Sequence, residues 1–293
     1  MGIKTPLFGR RAYFFPLIIL LVLVSFPPVC MTDQDKFQVI ECISKFKTGT
    51  VNWTTGTITA IGKAVPGDQS ESAKGLVSFT AKSDAVKNFI ETLKQIKINN
   101  ESTVEDYASG NNVIQAGLEK TAREALVSKQ VYTSALAVEI TLEASMFGGF
   151  LQLVLPEKIR QIPQINPEIN PKMVPAIEKS LYSGLIIDAR GLGIEPVLDP
   201  VIVSEQGNEV YSSVFISREF AVQNGVCKYV CNLDQALKDI RVGENPLVLK
   251  GLRKEGRKNA TLIISMSDYL ALEKITERHA FLNECKVIIV RDQ

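Results

Sequence analysis

With 293 residues, 33 basic and 32 acidic side chains and 45% hydrophobic residues, the chain has the composition of a folded protein long enough for two domains. Its first 31 residues hold three bases (Lys4, Arg10 and Arg11) and no acid, so the remainder is nearly neutral. Because proteins grip nucleic acid through clustered positive charge, this balance excludes nucleic acid as a general partner.

Residues 1–31 have the pattern of an export signal. The basic start precedes an apolar run over residues 13–29, the n-region and h-region order of a secretory leader. The prolines in this run make it short for a membrane span. Cys30 follows Pro27-Pro28-Val29 instead of the small residue that precedes a lipidated cysteine. We therefore predict an exported chain, periplasmic or anchored facing the periplasm through its N-terminal segment. Cleavage, lipidation at Cys30 and retention remain alternatives.

Four cysteines follow the leader: Cys42, Cys227, Cys231 and Cys285. In an exported chain they allow two disulfides in three pairings. The pair Cys227 and Cys231 resembles half of a zinc site, but there is no second such pair, and the only histidine, His279, is distant in sequence. We expect buried thiols or a disulfide that involves Cys227, Cys231 or Cys285, and no metal or cofactor.

Prolines mark a boundary in the chain. Five of the thirteen lie within residues 155–179, where their spacing prevents a helix and favours extended backbone. We predict an α+β fold with a first domain at 37–150, a Pro-rich linker at 151–180 and a second α+β or α/β domain at 181–293. In the first domain, two helices pack on a small antiparallel sheet.

The first domain opens with alternating β-branched residues around Thr55-Gly56, which predict a hairpin over residues 49–65. A helix follows, with Asp68 and Glu71 as its capping box and an apolar stripe formed by Phe79, Val86, Phe89, Ile90 and Leu93. An extended piece (96–107), a second helix (112–125) and two strands (125–132 and 135–144) complete the domain. We expect Trp53, the only tryptophan, to be buried.

In the second domain, apolar runs predict six strands at 183–188, 196–205, 209–216, 245–253, 260–266 and 285–292. The turn-like Gly207-Asn208 joins the second and third as a hairpin. Helices are predicted at 233–240 and 267–279, the latter with Ser267 as its N-cap and His279 near its end. The basic segment 250–259 forms a charged hairpin tip that could contact anionic lipid headgroups.

The stretch GLIIDARGLGIEP (184–196) raises the question of nucleotide binding. Gly191 and Gly193 supply two glycines of a dinucleotide fingerprint, but Pro196 stands where the third belongs and no helix follows. Without a helix N-terminus, the amides that bind phosphate are missing. We therefore interpret this stretch as a turn.

Asp188 and Arg190 flank the turn and, with Gly191 and Gly193, form the candidate binding loop. One interpretation is a clamp for a substrate or ion, and the other is a pair of side chains that hold the loop backbone. The sequence contains no G-x-S-x-G elbow and no H-E-x-x-H pair, so it does not favour nucleophilic catalysis. Carboxylates such as Asp234 and Asp239 cannot be assigned to catalysis by spacing.

Residues 49–148 resemble a known protein family. The order of VNWTTGTITAIGKAVP, a helix with AKSDAVKNFIETLKQIKINNESTVEDY and a terminal VEITLEASMFG resembles the Lpp-twenty/FlgP-like family of bacterial envelope lipoproteins. The resemblance implies export, a place near the outer membrane and a non-enzymatic, often assembly-forming role, in some members at the flagellum. It transfers no catalytic residues.

The leading hypothesis is therefore a non-enzymatic structural or interaction protein of the cell envelope. Its partners would be other envelope proteins or further copies of the chain. The first alternative is a periplasmic binding module for a peptide, glycan or ion, with the loop at Asp188–Gly193 as its site. The second is a carboxylate-based hydrolase that acts on cell-wall material.

Overall fold

The computed structural model of the chain describes Gly2 and residues 39–66, 71–133, 137–156, 182–255, 261–275 and 278–293. Residue contacts divide the chain into residues 1–38 and one compact unit of residues 39–293. The described part contains twelve strands in two sheets and eight helices, so the predicted α+β class is confirmed. None of these eight helices has the length and apolar character needed to cross a membrane.

The first half of the compact unit is built on a five-stranded sheet. Its strands are β1 (Ile43–Lys45), β2 (Gly49–Asn52), β3 (Thr57–Ala64), β4 (Leu126–Tyr132) and β5 (Val138–Ser145). Every neighbouring pair is antiparallel, in the order β1-β2-β3-β5-β4. Four helices accompany the sheet: α1 (Glu71–Lys94), α2 (Val104–Ala108), α3 (Asn112–Glu124) and α4 (Gly149–Val154).

The predicted hairpin at 49–65 is confirmed as the pair β2 and β3, with Asn52 opposite Thr57. The Asn52 side-chain oxygen accepts hydrogen bonds from the amides of Thr54 (3.0 Å) and Thr55 (3.2 Å), which holds the turn. Gly56 closes the turn at φ +72°, a conformation that favours glycine.

Helix α1 packs closely against the sheet. A Cβ atom on Gly62 of β3 would lie 2.1 Å from the amide nitrogen of Ala85, so only glycine allows this approach. The buried stripe of the helix runs in steps of four: Val77, Ala81, Ala85, Phe89 and Leu93. The prediction that Phe79 belongs to this stripe was wrong, because Phe79 is 73% exposed. It lies two positions from the stripe, about 200° around the helix.

Two further helices differ from the expectation for the first half. The extended piece predicted at 96–107 ends in helix α2, where the Asp106 amide donates to the Thr103 hydroxyl (3.3 Å) and the Thr103 amide donates to the Asp106 carboxylate (2.7 Å). This capping box satisfies two amides that would otherwise lack partners. Helix α4 was not predicted. The Asp68 cap proposed for α1 lies outside the described residues.

The second half is built on a seven-stranded sheet. Its strands are β6 (Gly184–Asp188), β7 (Val201–Ser204), β8 (Glu209–Tyr211), β9 (Lys228–Val230), β10 (Pro246–Lys254), β11 (Thr261–Ile264) and β12 (Val287–Val290). Its helices are α5 (Arg218–Asn224), α6 (Leu233–Leu237), α7 (Met266–Glu273) and α8 (Arg278–Asn283). The strand order is β8-β7-β11-β10-β6-β12-β9.

Parallel pairing dominates the middle of this sheet. Strands β10, β6, β12 and β9 run parallel, as do β11 and β7, while the pairs β10/β11 and β7/β8 are antiparallel. Every residue of β6 and β12 is buried. This explains their unbroken apolar sequences, because a parallel strand is usually covered on both faces.

The predicted strands are present in this half, some of them shorter than expected, but three details differ. Strand β9 and helix α5 were not predicted. The helix predicted at 267–279 is two helices, α7 and α8, and its N-cap is Ser265, which accepts from the Asp268 amide (3.0 Å), and not Ser267. His279 is therefore the second residue of α8, at the N-terminal end of a short helix and not near the C-terminal end of a long one.

The two sheets share one hydrophobic core. Trp53 is buried as predicted, and its ring meets that of Tyr229 edge-on, with 5.7 Å between the ring centroids. The backbones also meet, because the amides of Leu198 and Asp199 donate to the carbonyls of Lys97 (3.0 Å) and Ile98 (2.7 Å). Of the Pro-rich linker predicted at 151–180, residues 151–154 belong to helix α4, where Leu151 and Val154 are buried, and residues 157–180 lie outside the described residues.

The stripe on α1 gives a direct test of the packing. Phe89 is fully buried, so Phe89→Ala should lower the free energy of unfolding by about 3–5 kcal/mol, because it removes apolar contacts and leaves a cavity. Phe79→Ala is the matched control on the same helix and should change it by no more than about 0.5 kcal/mol. Chemical denaturation measures both values. Equal losses would contradict this packing.

Candidate functional site

The candidate site lies where the parallel strands β6 and β12 end and where β10 stops pairing with β6. Asp188 is the last residue of β6 and is in register with Lys250 of β10 and Val290 of β12. Arg291 and Asp292 follow β12 directly. Ligand sites of open α/β sheets lie at the carboxyl ends of the strands, so this carboxyl edge is the natural place to look for one.

Asp188 is the centre of a charged cluster. Its side chain is 11% exposed and accepts two hydrogen bonds from the Arg190 guanidinium (2.8 and 2.9 Å) and one from the Lys250 ammonium (3.1 Å). The Arg190 amide also donates to it (3.2 Å). The Arg190 bonds, supported by Lys250, hold the Asp188 pKa well below its ordinary value against the opposing effect of burial. The carboxylate is therefore ionised and fully partnered.

Gly191 and Gly193 form the turn that the sequence predicted, with φ angles of +83° and +58°. Their amides point to the carboxylate of Asp292: Gly191 donates to both of its oxygens (2.9 Å each) and Gly193 to one (3.4 Å). These bonds lower the pKa of Asp292. The turn is thus an anion-binding turn whose anion is a side chain of the same chain.

Sequence reasoning placed Asp188, Arg190, Gly191 and Gly193 together, and the structure does bring them together. It missed Asp292, which is about 100 residues away in sequence. The only signal in the sequence was that two apolar runs, ending at Asp188 and at Val290, are each followed by charged residues; the structure places these two strands side by side. The arrangement favours the interpretation that these side chains hold the loop.

The exposed parts of the cluster are its cations. Arg190 and Lys250 have side chains that are 44% and 56% exposed. Lys254 donates to the Gly193 carbonyl (2.9 Å) across the face of the turn. This surface presents positive charge around a bound carboxylate, which suits electrostatic contact with an anionic group better than proton transfer.

The disulfide joins Cys231 to Cys42. Cys231 is one of the three cysteines named as candidates for a bridge, and its partner Cys42 was not among them. Cys227 and Cys231 flank the extended strand β9 and are about 13 Å apart along it, too far for a disulfide. Among the described residues, no three His, Cys, Asp or Glu side chains are placed to hold a metal ion.

Cys227 and Cys285 are free thiols. Burial raises the pKa of Cys227 to about 12 and that of Cys285 to about 11, while the nearby Arg241 opposes both shifts. Because the thiolate is the reactive form, both are inert at neutral pH. Their place is structural: Arg241 donates to the carbonyls of Cys285 (2.7 Å) and Gly225 (2.6 Å) beside them.

The disulfide lies within a group of contacts between the two halves. The Cys42 amide donates to the Thr54 hydroxyl (2.9 Å), and that hydroxyl donates to the Tyr229 carbonyl (3.1 Å). The Tyr229 hydroxyl donates to the carbonyl of Val197 (3.1 Å) and accepts from its amide (3.2 Å). We call this group, together with Trp53, the junction.

A buried acid next to the junction was also missed. Asp199 is 8% exposed; one carboxylate oxygen accepts from the Ser213 hydroxyl (2.6 Å) and the other has no hydrogen-bond partner. Burial raises the Asp199 pKa, and the Ser213 bond opposes this. Tyr107 lies near enough for the charge of Asp199 to raise its own pKa, after the larger effect of burial. The sequence analysis placed Asp199 within the strand predicted at 196–205 and gave it no role.

The remaining sequence candidates are dispersed. Asp239 accepts from the Lys228 ammonium (2.5 Å) and from the Arg241 amide (3.0 Å), so it has a structural role apart from Asp234. The basic segment 250–259 does join two antiparallel strands, β10 and β11, and residues 256–260 of its tip lie outside the described residues.

The fold and site together define an α+β protein whose carboxyl edge is held by ion pairs and an internal carboxylate. Comparison with protein families matches residues 184–293 to the family described as Treponema pallidum Tp0624, second domain. The match begins at the first residue of β6 and so covers the seven-stranded sheet. Comparison with curated proteins gave no match.

Asp188→Ala tests the charged cluster. It leaves Arg190 and Lys250 beside each other without their acid, and should lower the free energy of unfolding at pH 7 by about 1.5–3 kcal/mol. Folding lowers the Asp188 pKa, so the ionised carboxylate stabilises the wild-type fold at pH values above its ordinary pKa of 3.8. This stabilisation is lost as the pH falls. The variant should lack that loss.

Glu119→Ala is the control, since it removes an exposed ion pair with Arg123 on α3 and should cost about 0.5 kcal/mol or less. Denaturant titrations between pH 3 and 7 give both values. An Asp188→Ala loss as small as that of Glu119→Ala would show that the cluster does not hold the loop.

Asp199→Asn tests the buried acid. A raised folded pKa means that ionisation costs stability as the pH rises above 3.8, since the unfolded state ionises first. The free energy of unfolding of Asp199→Asn relative to wild type should therefore increase from pH 4 to pH 7. Ser213→Ala removes the hydrogen bond that lowers the Asp199 pKa. This variant should therefore lose more stability than wild type as the pH rises. A difference between Asp199→Asn and wild type that is constant with pH would refute the assignment.

Proposed function

We propose that the chain is an exported, non-enzymatic protein of the bacterial cell envelope that works through its surfaces, in a structural, assembly or interaction role. The observation that carries this proposal is the disulfide between Cys42 and Cys231. Disulfides persist in oxidising compartments and are rare in the reducing cytosol. The leader pattern of residues 1–31 supplies a route to such a compartment.

The first half of the chain supports this role, and the second half supports the division into domains. Residues 49–148 resemble the Lpp-twenty/FlgP-like envelope lipoproteins, which suggests a place near the outer membrane or the flagellum. Residues 184–293 are similar to a second domain of a Treponema pallidum protein. We accordingly propose domains at 37–150 and 181–293, joined by a linker at 151–180, with the junction holding the two domains together.

The chemistry of the carboxyl edge supports a role in interaction. Asp188 is fully bonded, and Asp292 already fills the anion-binding turn. Charged groups that bond one another are poorly available as acid, base or nucleophile, because catalysis needs a group with a pKa near the working pH. The partners in this proposal are other envelope proteins or further copies of the chain.

Cell fractionation with thiol mapping tests the proposal. Cells that make the full chain are lysed in a membrane-permeant alkylating agent, and the fractions are digested without reduction. We expect the protein in the envelope fraction, with the Cys42 and Cys231 peptides linked to each other. Cys227 and Cys285 should be alkylated only after unfolding, because they are unreactive thiols in the fold.

A variant without residues 1–38 is the control: it should stay in the cytosol, and after unfolding its buried Cys42 should be alkylated and not linked to Cys231. If the full chain is also cytosolic with Cys42 and Cys231 alkylated, the envelope proposal is wrong.

A second candidate is a periplasmic binding module for a peptide, glycan or ion. The exposed cations Arg190 and Lys250 around the glycine turn favour it. A ligand at 100 times its dissociation constant would add about 2.7 kcal/mol of stability, so thermal shifts with inorganic phosphate as probe distinguish it. Loss of that shift in Arg190→Ala, with the melting temperature of the free protein unchanged, would favour this candidate over the first.

A further inference from the structure

The glycine turn already binds a carboxylate, that of Asp292. The Gly191 amide donates to both of its oxygens (2.9 Å each), and the Gly193 amide donates to one of them (3.4 Å). Both glycines have positive φ angles, and neighbouring amides in a turn of this kind form a concave site for an anion. The turn therefore has the donors that a carboxylate needs, whichever molecule supplies the carboxylate.

The turn has contacts that hold it independently of Asp292. The Leu192 amide donates to the Ala189 carbonyl (3.2 Å), and the Leu192 side chain packs against the main core. From strand β10, the Lys254 ammonium donates to the Gly193 carbonyl (2.9 Å). Because these contacts do not involve Asp292, we expect the two glycine amides to stay in place when its side chain moves away.

The Asp292 side chain can leave the turn without a change in the sheet. Asp292 is exposed and lies two residues after the end of β12. The preceding residue is the one tied to the neighbouring strand, through a bond from the Arg291 amide to the Val230 carbonyl (3.0 Å). Among the described residues, the two glycines are the only other residues that donate to the Asp292 carboxylate. Rotation of one side chain therefore opens the turn.

The surface around the turn favours an incoming anion. The charged side chains linked to the turn by contact or by charge are the bases Arg190, Lys250, Lys254 and Arg291 and the acids Asp188, Asp234 and Asp292. Glu195, which is near Arg291, is paired with Lys97 and leaves this balance unchanged. Four bases against three acids leave a net positive charge even with Asp292 included, and such a surface attracts carboxylates.

We propose that the turn at Gly191 and Gly193 binds a carboxylate of an acidic segment in a partner, and that Asp292 is a tethered competitor that occupies the turn until the partner displaces it. A tethered group competes at a high effective concentration, so an isolated carboxylate binds the wild-type chain weakly and a partner needs further contacts. This inference rests on the proposed role as an interaction protein, and it names the surface and the chemical group that this surface recognises.

A short peptide with one acid probes the turn. The peptide GDG, blocked at both ends, is titrated into the isotope-labelled chain, and the amide signals of Gly191 and Gly193 are followed by NMR. Both signals should shift saturably. The control peptide GNG has the same shape without the charge and should leave them unmoved over the same range. Acetate and inorganic phosphate are titrated in parallel. Equal binding of acetate and GDG would assign recognition to the carboxylate alone, and tighter binding of GDG would assign it to an acidic segment.

Removal of the competitor gives the sharpest result. If Asp292 fills the turn about nine-tenths of the time, Asp292→Ala should lower the dissociation constant for GDG about tenfold, because the apparent affinity scales with the open fraction. The matched control Asp234→Ala removes an acid near Arg190 that does not bond to the turn, and should change the constant by no more than about twofold. Asp292→Asn keeps the shape of the side chain without its charge and should give an intermediate gain. This variant decides the test if Asp292→Ala does not fold.

Several results would overturn the inference. One is the absence of a response of the Gly191 and Gly193 signals to GDG in every folded variant. Another is binding of GDG by the Asp292 variants that is no tighter than binding by Asp234→Ala, since Asp292 would then hold the turn and not compete for it. Equal binding of GNG and GDG, or tighter binding of phosphate than of GDG and acetate, would assign the turn to another ligand. None of these results bears on the cell fraction or on the Cys42–Cys231 linkage, so the proposed function is tested separately.

Discussion

The junction at Tyr229 is the constraint on which the structure depends. The Tyr229 ring packs on Trp53, its carbonyl accepts from Thr54 and its hydroxyl bonds both backbone groups of Val197. Beside it, the Cys42–Cys231 disulfide links residues 189 positions apart. In the chain-entropy account, closing a loop of that length removes on the order of 5 kcal/mol of unfolded-state freedom. The two sheets therefore fold as neighbours with a common core.

Strands linked to the junction also position the carboxyl edge. Strand β9 ends at the disulfide and pairs with β12, which pairs with β6. Asp292 follows β12 and bonds the glycine turn that follows β6, so the C-terminal residues fasten the loop on which the candidate site is built. Asp188 fastens it from the other side through Arg190. A loop held at both ends is preorganised, which suits recognition by shape and charge.

Local chemistry made much of the fold predictable. The hairpin at Gly56, helix α1 and the apolar strands β6 and β12 follow from turn residues and hydrophobic spacing. Short elements such as α2 and β9 do not follow from these patterns, because α2 depends on a capping box and β9 on three paired residues. The roles of Cys42, Asp292 and Asp199 could not be predicted, because each depends on residues far away in the sequence. The exposure of Phe79 was missed because two small alanines, Ala81 and Ala85, form the middle of the buried stripe of α1.

The claim that one junction unites the two sheets is best tested by hydrogen exchange with mass spectrometry at increasing guanidinium concentration, with the disulfide intact. The account predicts that peptides from β3 and β5 lose protection at the same midpoint as peptides from β6 and β12, in one cooperative transition. Separate midpoints for the two sheets, with Trp53 fluorescence following only the first, would contradict it.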